Sequence, residues 1–281
     1  MKTCDLHCHS YFSDGSMSPE ALVALAERQG LSALALTDHN TSKGLADFMK
    51  AGENSPVETV AGCEFSTEHE GKEYHIVGLF LPEKSWQELE DFVLFQHMAK
   101  HHSNQTLIKN LHAAGFAITY DEVAAITDAD EFNRAHVARV LLKKGYVGSV
   151  KEAFDTLLGE NNGFYVPPKR ISSAATIRFI KDNGGVAVWA HPFHSTDAAT
   201  VENILPAFVA AGLDAMETIY TTYTPEEHAR ANALAEEYHL LESGGSDFHG
   251  EAKPDIALGK GYGEMEIPYA FYEKLKQRSK R

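Results

Sequence analysis

The chain has 281 residues and a net charge of −15, with 43% apolar and 23% charged residues. This composition is typical of a globular protein with an ample core and excludes a disordered chain, while the acidic balance argues against sequence-independent wrapping of duplex nucleic acid. Three cysteines are too few for a disulfide framework. No apolar run reaches the ~18 residues of a transmembrane helix, and the N-terminus becomes polar too early for a signal peptide. We therefore expect a cytoplasmic protein without membrane association.

Strands and helices alternate over the first 80 residues. A short strand over 3–8 is followed by a helix that begins at Ser18-Pro19 and ends at Gly30, because serine caps a helix and proline suits its first turn. The remaining predicted elements are a strand over 32–37, a helix over 42–51, and strands over 57–67 and 74–80.

The pattern changes to helices from about residue 82 to residue 163. Apolar residues recur there at intervals of three and four, as in Leu107, Leu111 and Ala114, which is the spacing of one helix face. We therefore predict an inserted helical subdomain over 99–164, acting as a lid. The predicted main domain is formed by 1–98 and 165–281.

Strand–helix alternation resumes after the insertion. The predicted elements are helices over 173–183, 200–211 and 225–238 and strands over 186–190, 215–220 and 240–246. The basic tail over 276–281 is expected to fray. Repeated strand–helix units indicate a parallel sheet, open or closed into a barrel. The barrel is favoured because nearly every candidate functional side chain follows a strand end, where barrel active sites are built.

Nine imidazole and carboxylate side chains lie at or just after these strand ends. They are His7, His9, Asp14, His39, Glu64, His75, His191, Asp247 and His249. Nitrogen and oxygen ligands without thiolate suit zinc, manganese or iron. A lone His-x-His or Asp-x-His pair would carry little weight, but packing alone does not explain polar groups at five strand ends, since buried polar groups need partners. The sequence thus predicts a site for two or three divalent cations.

The segments that carry these residues resemble the PHP (polymerase and histidinol phosphatase) family. The resemblance rests on His7-Cys8-His9, Ser13-Asp14-Gly15, Thr37-Asp38-His39, Gly62-Cys63-Glu64, His75, Ala190-His191-Pro192 and Gly245-Ser246-Asp247-Phe248-His249. It looks closest to the stand-alone phosphoesterases with a helical insertion, which include nucleotide phosphatases and RNase AM-like 5′–3′ exoribonucleases. The resemblance implies a distorted (β/α)7 barrel with an inserted helical subdomain and a trinuclear metal site.

The resemblance also implies how the ligands divide among the ions. His7, His9, Glu64 and Asp247 would hold one ion, Asp14, His39 and His249 a second, and Glu64, His75 and His191 the third. It implies no protein nucleophile, because a hydroxide bridging the ions, with manganese favoured over zinc or iron, would attack the phosphorus. His194 is a candidate for a supporting acid.

The candidate substrate contacts are Arg134, His136 and Lys169. Members of the family have a similar Arg-x-His in the insertion, which would clamp the substrate phosphate, and Lys169 lies where the chain re-enters the barrel. The alternatives are a surface helix with an ion pair for Arg134 and His136, and a solvated side chain for Lys169.

The favoured function is metal-dependent hydrolysis of the phosphate ester of a small nucleotide, AMP or a nucleoside 3′,5′-bisphosphate, or hydrolysis at the 5′ end of a short oligonucleotide. The alternatives are a histidinol phosphate phosphatase, a non-catalytic PHP interaction module and an amidohydrolase. A non-catalytic module is expected to lack ligands and an amidohydrolase to carry a metal-bridging lysine at a strand end, and the sequence shows neither feature. We expect a small phosphorylated substrate as the partner, and neither a membrane nor duplex nucleic acid.

Overall fold

The strands of the computed structural model, which describes residues 2–127, 132–194 and 196–280, form one eight-stranded sheet. Their bounds are β1 Cys4–Cys8, β2 Ala33–Leu36, β3 Glu58–His69, β4 Lys72–Leu79, β5 Ile171–Ser172, β6 Val186–Trp189, β7 Ala215–Tyr220 and β8 Leu241–Gly245. Seven strands follow the order β1-β2-β3-β4-β6-β7-β8, and the two-residue β5 pairs with β3. After β8, the backbone N–H of Asp247 donates to the carbonyl oxygen of His7 at 2.9 Å. The sheet is therefore a nearly closed barrel, which confirms the predicted fold class.

Strand β4 departs from the predicted parallel arrangement. It pairs antiparallel with β3 on one side and with β6 on the other, whereas β1, β2 and β3 and likewise β6, β7 and β8 pair in parallel. Only Glu70 and Gly71 connect β3 to β4, and a parallel pair needs a crossover of about a dozen residues or more. The prediction of a uniformly parallel sheet was therefore wrong at this strand.

Helices follow most of the strands. Their bounds are α1 Pro19–Arg28, α2 Leu45–Gly52, α3 Trp86–Ala113, α4 Tyr120–Ala124, α5 Arg134–Lys143, α6 Val150–Ala153, α7 Ser173–Asp182, α8 Ala198–Ala211, α9 Pro225–Glu237 and α10 Tyr269–Arg278. As predicted, Ser18 caps α1, and its hydroxyl oxygen accepts a hydrogen bond from the Ala21 N–H at 3.2 Å. Within the described ranges, no helix combines the length and the apolar character needed to cross a membrane.

The chain divides into two compact units. The barrel unit is Met1–Glu90 with Ile171–Arg281, and the helical unit is Asp91–Arg170. The helical unit has its own core, in which Leu107 and Leu111 of α3 pack with Val137 and Leu141 of α5. The role of this unit as a lid stays a prediction.

The barrel unit buries one apolar cluster that most of its strands share. Alternation along β2 places Ala33 and Ala35 in this cluster, while Leu34 and Leu36 pack in a second cluster with α1 and α2. The C-terminal helix α10 adds Leu275 to the shared cluster. The two faces of the strands are therefore buried by different elements.

The first part of the C-terminal tail, residues 276–278, is helical and bound to the barrel, contrary to the expected fraying, and Arg281 lies outside the described residues. Lys276 donates a hydrogen bond to the carboxylate of Glu58 at the start of β3. Arg278 Nε donates to Asp214 at 2.7 Å. The expectation was wrong for residues 276–278, because α10 buries an apolar face and thereby holds these basic side chains next to their acidic partners.

Candidate active site

All nine predicted ligands come together at one edge of the barrel. They are His7 on β1, His9 and Asp14 after it, His39 after β2, Glu64 on β3, His75 on β4, His191 after β6, and Asp247 and His249 after β8. Glu64 and His75 lie within their strands rather than at the ends. Because β4 is antiparallel to β3, the first residues of β4 lie beside the last residues of β3, and His75 is thereby brought to the same edge.

The carboxylate of Glu64 is the centre of the site, and its Oε2 atom faces three imidazoles. It lies 3.0 Å from Nε2 of His7, 3.1 Å from Nε2 of His9 and 3.3 Å from Nδ1 of His39. These residues come from two different strand ends. Glu64 itself is 1% exposed, so the cluster is shielded from bulk water on this side.

The other oxygen of Glu64 faces two further imidazoles. Oε1 lies 2.7 Å from Nδ1 of His75 and 2.9 Å from Nε2 of His191. Five imidazoles thus surround one carboxylate. This is the geometry expected of a carboxylate that bridges cations.

Asp14 forms a second centre beside the first. Its Oδ1 lies 3.1 Å from Nε2 of His249, and its Oδ2 lies 3.9 Å from Nε2 of His39. His9 connects this group to Asp247, whose Oδ1 lies 3.2 Å from His9 Nε2.

Three sets of side chains could each hold an ion, because within each set the ligand atoms lie within 4.8 Å of one another. They are His7, His9, Glu64 and Asp247; His9, Asp14, His39 and His249; and His39, Glu64 and His75. The first set is identical to the ligand group that the family resemblance implies for one ion. The second set contains the group implied for the second ion, with His9 in addition. In the third set His39 stands in place of His191.

The unsatisfied atoms of this cluster fit divalent cations. Four atoms of this cluster are buried without a hydrogen-bond partner among the described residues: Nε2 of His7, Nε2 of His9, Nδ1 of His39 and Oε2 of Glu64. Each of the three nitrogens nevertheless lies within 3.3 Å of Oε2 of Glu64. A buried polar atom without a partner costs about 1–3 kcal/mol. Cations held by the three sets would together coordinate all four atoms, and imidazole with carboxylate suits manganese, zinc or iron.

The charges of the site are strongly coupled. Burial raises the pKa of the Glu64 carboxyl, but the imidazoles, His39 and His7 foremost, outweigh burial and hold this pKa well below its usual range. Burial lowers the pKa of His9, yet the nearby carboxylates of Asp247 and Glu64 raise it to about 9. Without a cation, protons on His7, His9 and His75, whose pKa values are raised, therefore balance the carboxylates. Binding of a cation would displace these protons.

Two buried aspartates hold the backbone segments that carry the ligands. Asp38 accepts hydrogen bonds from the N–H of Ser10 at 2.8 Å and from its hydroxyl at 2.6 Å. Asp5 binds Ser246 in the same way, at 2.9 and 2.5 Å. Ser10 follows His9 and Ser246 precedes Asp247, so each aspartate positions the neighbour of a candidate ligand.

A glycine allows β8 to approach β1 at the site. A Cβ atom at Gly245 would lie 2.1 Å from Cβ of His7 and 2.9 Å from its backbone, so any side chain at residue 245 would displace His7. The glycine is required by this close approach.

Three residues contact the candidate ligands although the sequence did not predict these contacts. Glu217 contacts His7 through Nδ1 at 2.8 Å, and Tyr220 and Lys253 both donate to Oδ2 of Asp247, at 2.8 and 2.6 Å. Glu217 is the only charged residue of strand β7, and this was an available signal for it. Lys253 lies 6 residues after Asp247 in the chain, so its closeness in sequence to a candidate ligand was an available signal.

The predicted substrate contacts lie in the helical unit. Arg134 donates to the carbonyl oxygen of Leu158 at 3.1 Å, and its guanidinium lies 4.1 Å from the ring centroid of Tyr165. His136 is buried, and its Nδ1 accepts from the N–H of Asn133 at 3.0 Å. These contacts position the two side chains within their own unit, and their role toward substrate stays a prediction.

The other two predicted functional side chains are exposed. Lys169 lies just before β5 and is exposed. His194 lies in the barrel unit, where its Nδ1 is 3.3 Å from Oγ1 of Thr222 and its ring centroid is 5.7 Å from that of His191. His194 is thus next to the site, and its role as an acid stays a prediction.

A sequence profile of the PHP domain matches residues 5–166, which is more than half of the chain. The chain belongs to the PHP family. The PHP assignment also accounts for the composition of the site, since the matched segment includes six of the nine converging side chains.

Curated relatives of this PHP protein extend over nearly its whole length. The 5′-3′ exoribonuclease of Haemophilus influenzae is 34% identical and covers 98% of this chain and 99% of its own. The phosphoribosyl 1,2-cyclic phosphate 1,2-diphosphodiesterase of Eggerthella lenta is 29% identical, with 88% and 94% covered. The 3′,5′-nucleoside bisphosphate phosphatase of Chromobacterium violaceum is 29% identical, with 91% of each chain covered. All three are named for the cleavage of phosphate ester bonds.

A solved structure agrees with this PHP fold. The crystal structure of a metal-dependent phosphoesterase from Bifidobacterium adolescentis has a TM-score of 0.85 at 27% identity, covering 99% of this chain and 96% of that one. The predicted family, the barrel fold and the enzyme class, a metal-dependent hydrolase of phosphate esters, are therefore confirmed.

Proposed function

We propose that this protein hydrolyses the phosphate ester of a small nucleotide, AMP or a nucleoside 3′,5′-bisphosphate, or acts at the 5′ end of a short oligonucleotide. The observation that carries the proposal is the carboxylate of Glu64, whose two oxygens face five imidazoles. The nucleotide class is supported by the names of the exoribonuclease and bisphosphate phosphatase relatives.

The nine converging side chains would hold two or three divalent cations, manganese in the first place. Bound divalent cations lower the pKa of water and stabilise charge on phosphoryl oxygens. The role of the nine side chains would be to fix the positions of the cations. Each oxygen of Glu64 faces its own group of imidazoles. Asp14 belongs to one of the three sets of candidate ligands, and Asp247 belongs to another.

The charge of the loaded site would select anionic substrates. The protein carries a net charge of −15, so its surface as a whole repels phosphate. Asp14, Glu64 and Asp247 bring three negative charges to the site, fewer than the positive charges of two or three divalent cations. A locally positive site on an acidic protein would concentrate a phosphate ester at the cations.

The helical unit would supply the contacts to the rest of the substrate. Arg134, His136 and Lys169 are the proposed contacts, and a guanidinium or ammonium group suits phosphate. His194 is the proposed supporting acid. A lid formed by this unit would exclude water and limit the substrates to those that fit beneath it.

The alternative functions predict different substrates. A histidinol phosphate phosphatase is not expected to share the Arg134-x-His136 pair of the insertion. A non-catalytic module is disfavoured because all nine candidate ligands are present and lie together. An amidohydrolase would turn over an amide rather than a phosphate ester.

The test combines elemental analysis with phosphate release. The purified protein is analysed for manganese, zinc and iron and assayed with AMP, adenosine 3′,5′-bisphosphate, a 5′-phosphorylated short oligoribonucleotide and histidinol phosphate, each with and without added manganese. We expect two to three ions per chain and manganese-dependent turnover of at least one nucleotide substrate, faster than that of histidinol phosphate.

A matched pair of variants separates the site from the rest of the barrel. Glu64→Gln should bind less metal and lose activity, because the amide offers one acceptor where the carboxylate offers two. Glu68→Gln, the same change on the same strand, should behave as the wild type. Metal-free protein that manganese does not activate, or faster turnover of histidinol phosphate, would contradict the proposal.

A further inference from the structure

Glu217 of β7 is a buried carboxylate that lies between two of the proposed ligands. Its side chain is 1% exposed. Oε1 lies 2.8 Å from Nδ1 of His7, and Oε2 accepts a hydrogen bond from the backbone N–H of His191 at 2.6 Å. One side chain therefore contacts both β1 and the segment that follows β6.

The two partners of Glu217 approach opposite oxygens of Glu64. Nε2 of His7 lies 3.0 Å from Glu64 Oε2, whereas Nε2 of His191 lies 2.9 Å from Glu64 Oε1. Glu217 thus contacts one histidine on each side of the carboxylate that the proposed cations would share.

Both contacts require Glu217 to act as an acceptor. The backbone N–H of His191 is a donor, and when Nε2 of His7 presents its lone pair to a cation, the remaining ring proton lies on Nδ1. A carboxylate offers two acceptor oxygens, whereas the amide of glutamine offers one acceptor and one donor. Glutamine at position 217 could therefore satisfy one of the two partners at most.

The backbone of His191 depends on such support. Its φ of +32° lies in the left-handed region, which residues other than glycine rarely adopt. Conformations of this kind persist only where the surroundings hold them. The hydrogen bond to Glu217 is a contact that holds the His191 backbone while its ring reaches Glu64.

We propose that Glu217 is a positioning residue that couples the cation sites on the two sides of Glu64. It keeps the proton of His7 on Nδ1, so that Nε2 is available to a cation, and it fixes the backbone from which His191 extends. Loss of this carboxylate would disturb both sites together. The inference rests on the proposed function, because it assumes that His7 and His191 bind cations.

The experiment compares Glu217→Gln with Thr218→Val. Thr218 is the next residue of β7, it is fully buried, and its hydroxyl lacks a hydrogen-bond partner among the described residues, so the valine variant tests burial and strand packing without touching a ligand. Metal content is measured by elemental analysis and affinity by titration of the metal-free proteins with zinc. Nitrogen–proton correlation spectra of the histidine rings in zinc-loaded protein report which nitrogen of His7 carries its proton.

We expect Glu217→Gln to bind zinc about 10–100-fold more weakly than the wild type and to lose the His7 Nδ1 proton signal. Thr218→Val should retain both. Wild-type affinity and an unchanged His7 signal in Glu217→Gln would overturn the proposal. Zinc binding by His7 through Nδ1 in the wild type would also overturn the proposal. This measurement uses the wild type alone, so it applies even if Glu217→Gln does not fold. Failure of the wild type to bind either zinc or manganese would instead contradict the proposed function.

Discussion

Nζ of Lys253 lies 2.6 Å from Oδ2 of Asp247, and the hydroxyl of Tyr220 donates to the same oxygen at 2.8 Å. The opposite oxygen, Oδ1, lies 3.2 Å from Nε2 of His9. Lys253 and Tyr220 therefore turn one oxygen of Asp247 away from the cluster and leave the other facing it. This arrangement is typical of a ligand carboxylate oriented by its outer partners.

Replacement of Lys253 by methionine is expected to weaken manganese binding about tenfold. Loss of an outer partner of a ligand costs about 10–100-fold in affinity, and two effects favour the lower end. Tyr220 still holds Oδ2, and loss of the ammonium group leaves Asp247 more basic. Titration of the metal-free protein with manganese measures the change. Lys260→Met is the control, since Lys260 lies 3.8 Å from Glu266 at the surface. Equal affinity of both variants would show that Lys253 does not orient Asp247.

The carboxylate of Glu58 predicts a dependence of stability on pH. Hydrogen bonds from Lys276 and Tyr272 lower its pKa to about 2 from an ordinary value of 4.5. A lowered pKa in the folded state contributes stability above about pH 4.5, and this contribution is lost as the pH falls toward 2. Because Glu58 is 44% exposed, solvent screening limits the contribution to under about 1 kcal/mol.

Glu58→Gln should therefore be less stable than the wild type at pH 7, and the difference should shrink as the pH falls from 5 to 3. Urea unfolding of the metal-free proteins at several pH values measures the free energy of unfolding. Glu53→Gln, an exposed position on the same unit, serves as the control and should show no such trend. A constant difference between Glu58→Gln and the wild type would contradict the prediction.

The guanidinium of Arg134 is expected to contribute to substrate binding as well as to the helical unit. A hydrogen bond to a charged group contributes about 1.5–3 kcal/mol, so Arg134→Ala should raise KM for the nucleotide by about tenfold or more, with a smaller change in kcat. The same variant loses the contacts with Tyr165 and Leu158 and should destabilise the helical unit.

Arg134→Lys separates these two effects. Lysine retains the positive charge but not the planar group that stacks on Tyr165, so KM should rise less while the loss of stability is similar. Arg139→Ala, at an exposed position of the same helix α5, is the control. Steady-state kinetics and thermal unfolding measure the two effects, and an unchanged KM in Arg134→Ala would exclude Arg134 as a substrate contact.

Alanine at Gly245 should disrupt the barrel next to the site. The added Cβ would lie 2.1 Å from Cβ of His7, and the backbone atoms of His7 leave no direction for relief. Overpacking of a core typically costs about 1–3 kcal/mol, and the closeness of this contact places the loss at the upper end. Gly30→Ala, where no atom lies within 4 Å and φ is +73°, should cost only about 1 kcal/mol. Urea unfolding compares the two variants, and equal stability would contradict the prediction.

The sequence alone was sufficient to predict seven barrel strands along the chain and the nine side chains that the structure brings together. Apolar runs, capping residues such as Ser18, and the polar groups that follow strand ends are local features. A closed barrel brings strand ends to one place, so residues as distant in the chain as His7 and His249 could be assigned to one site before their contacts were known.

The contacts of Lys276 and Arg278 required the tertiary structure, whereas the short connection between the strands predicted over 57–67 and 74–80 already excludes a parallel crossover to β4. The direction of β4 follows from the two-residue connection at Glu70 and Gly71, and the tail is held by Glu58 and Asp214 from other elements. The contacts of the tail depend on which surfaces the fold brings together. Local propensity does not encode them.

The outer partners of the ligands were decided only by the fold. Glu217 lies 210 residues from His7 in the chain, yet its carboxylate is 2.8 Å from the His7 ring, and Tyr220 reaches Asp247 from 27 residues away. The chemistry of the cations sets the types of the ligand residues, and residue types are read directly from a sequence. Their orientation is set by through-space hydrogen bonds, and these exist only once distant segments have packed together.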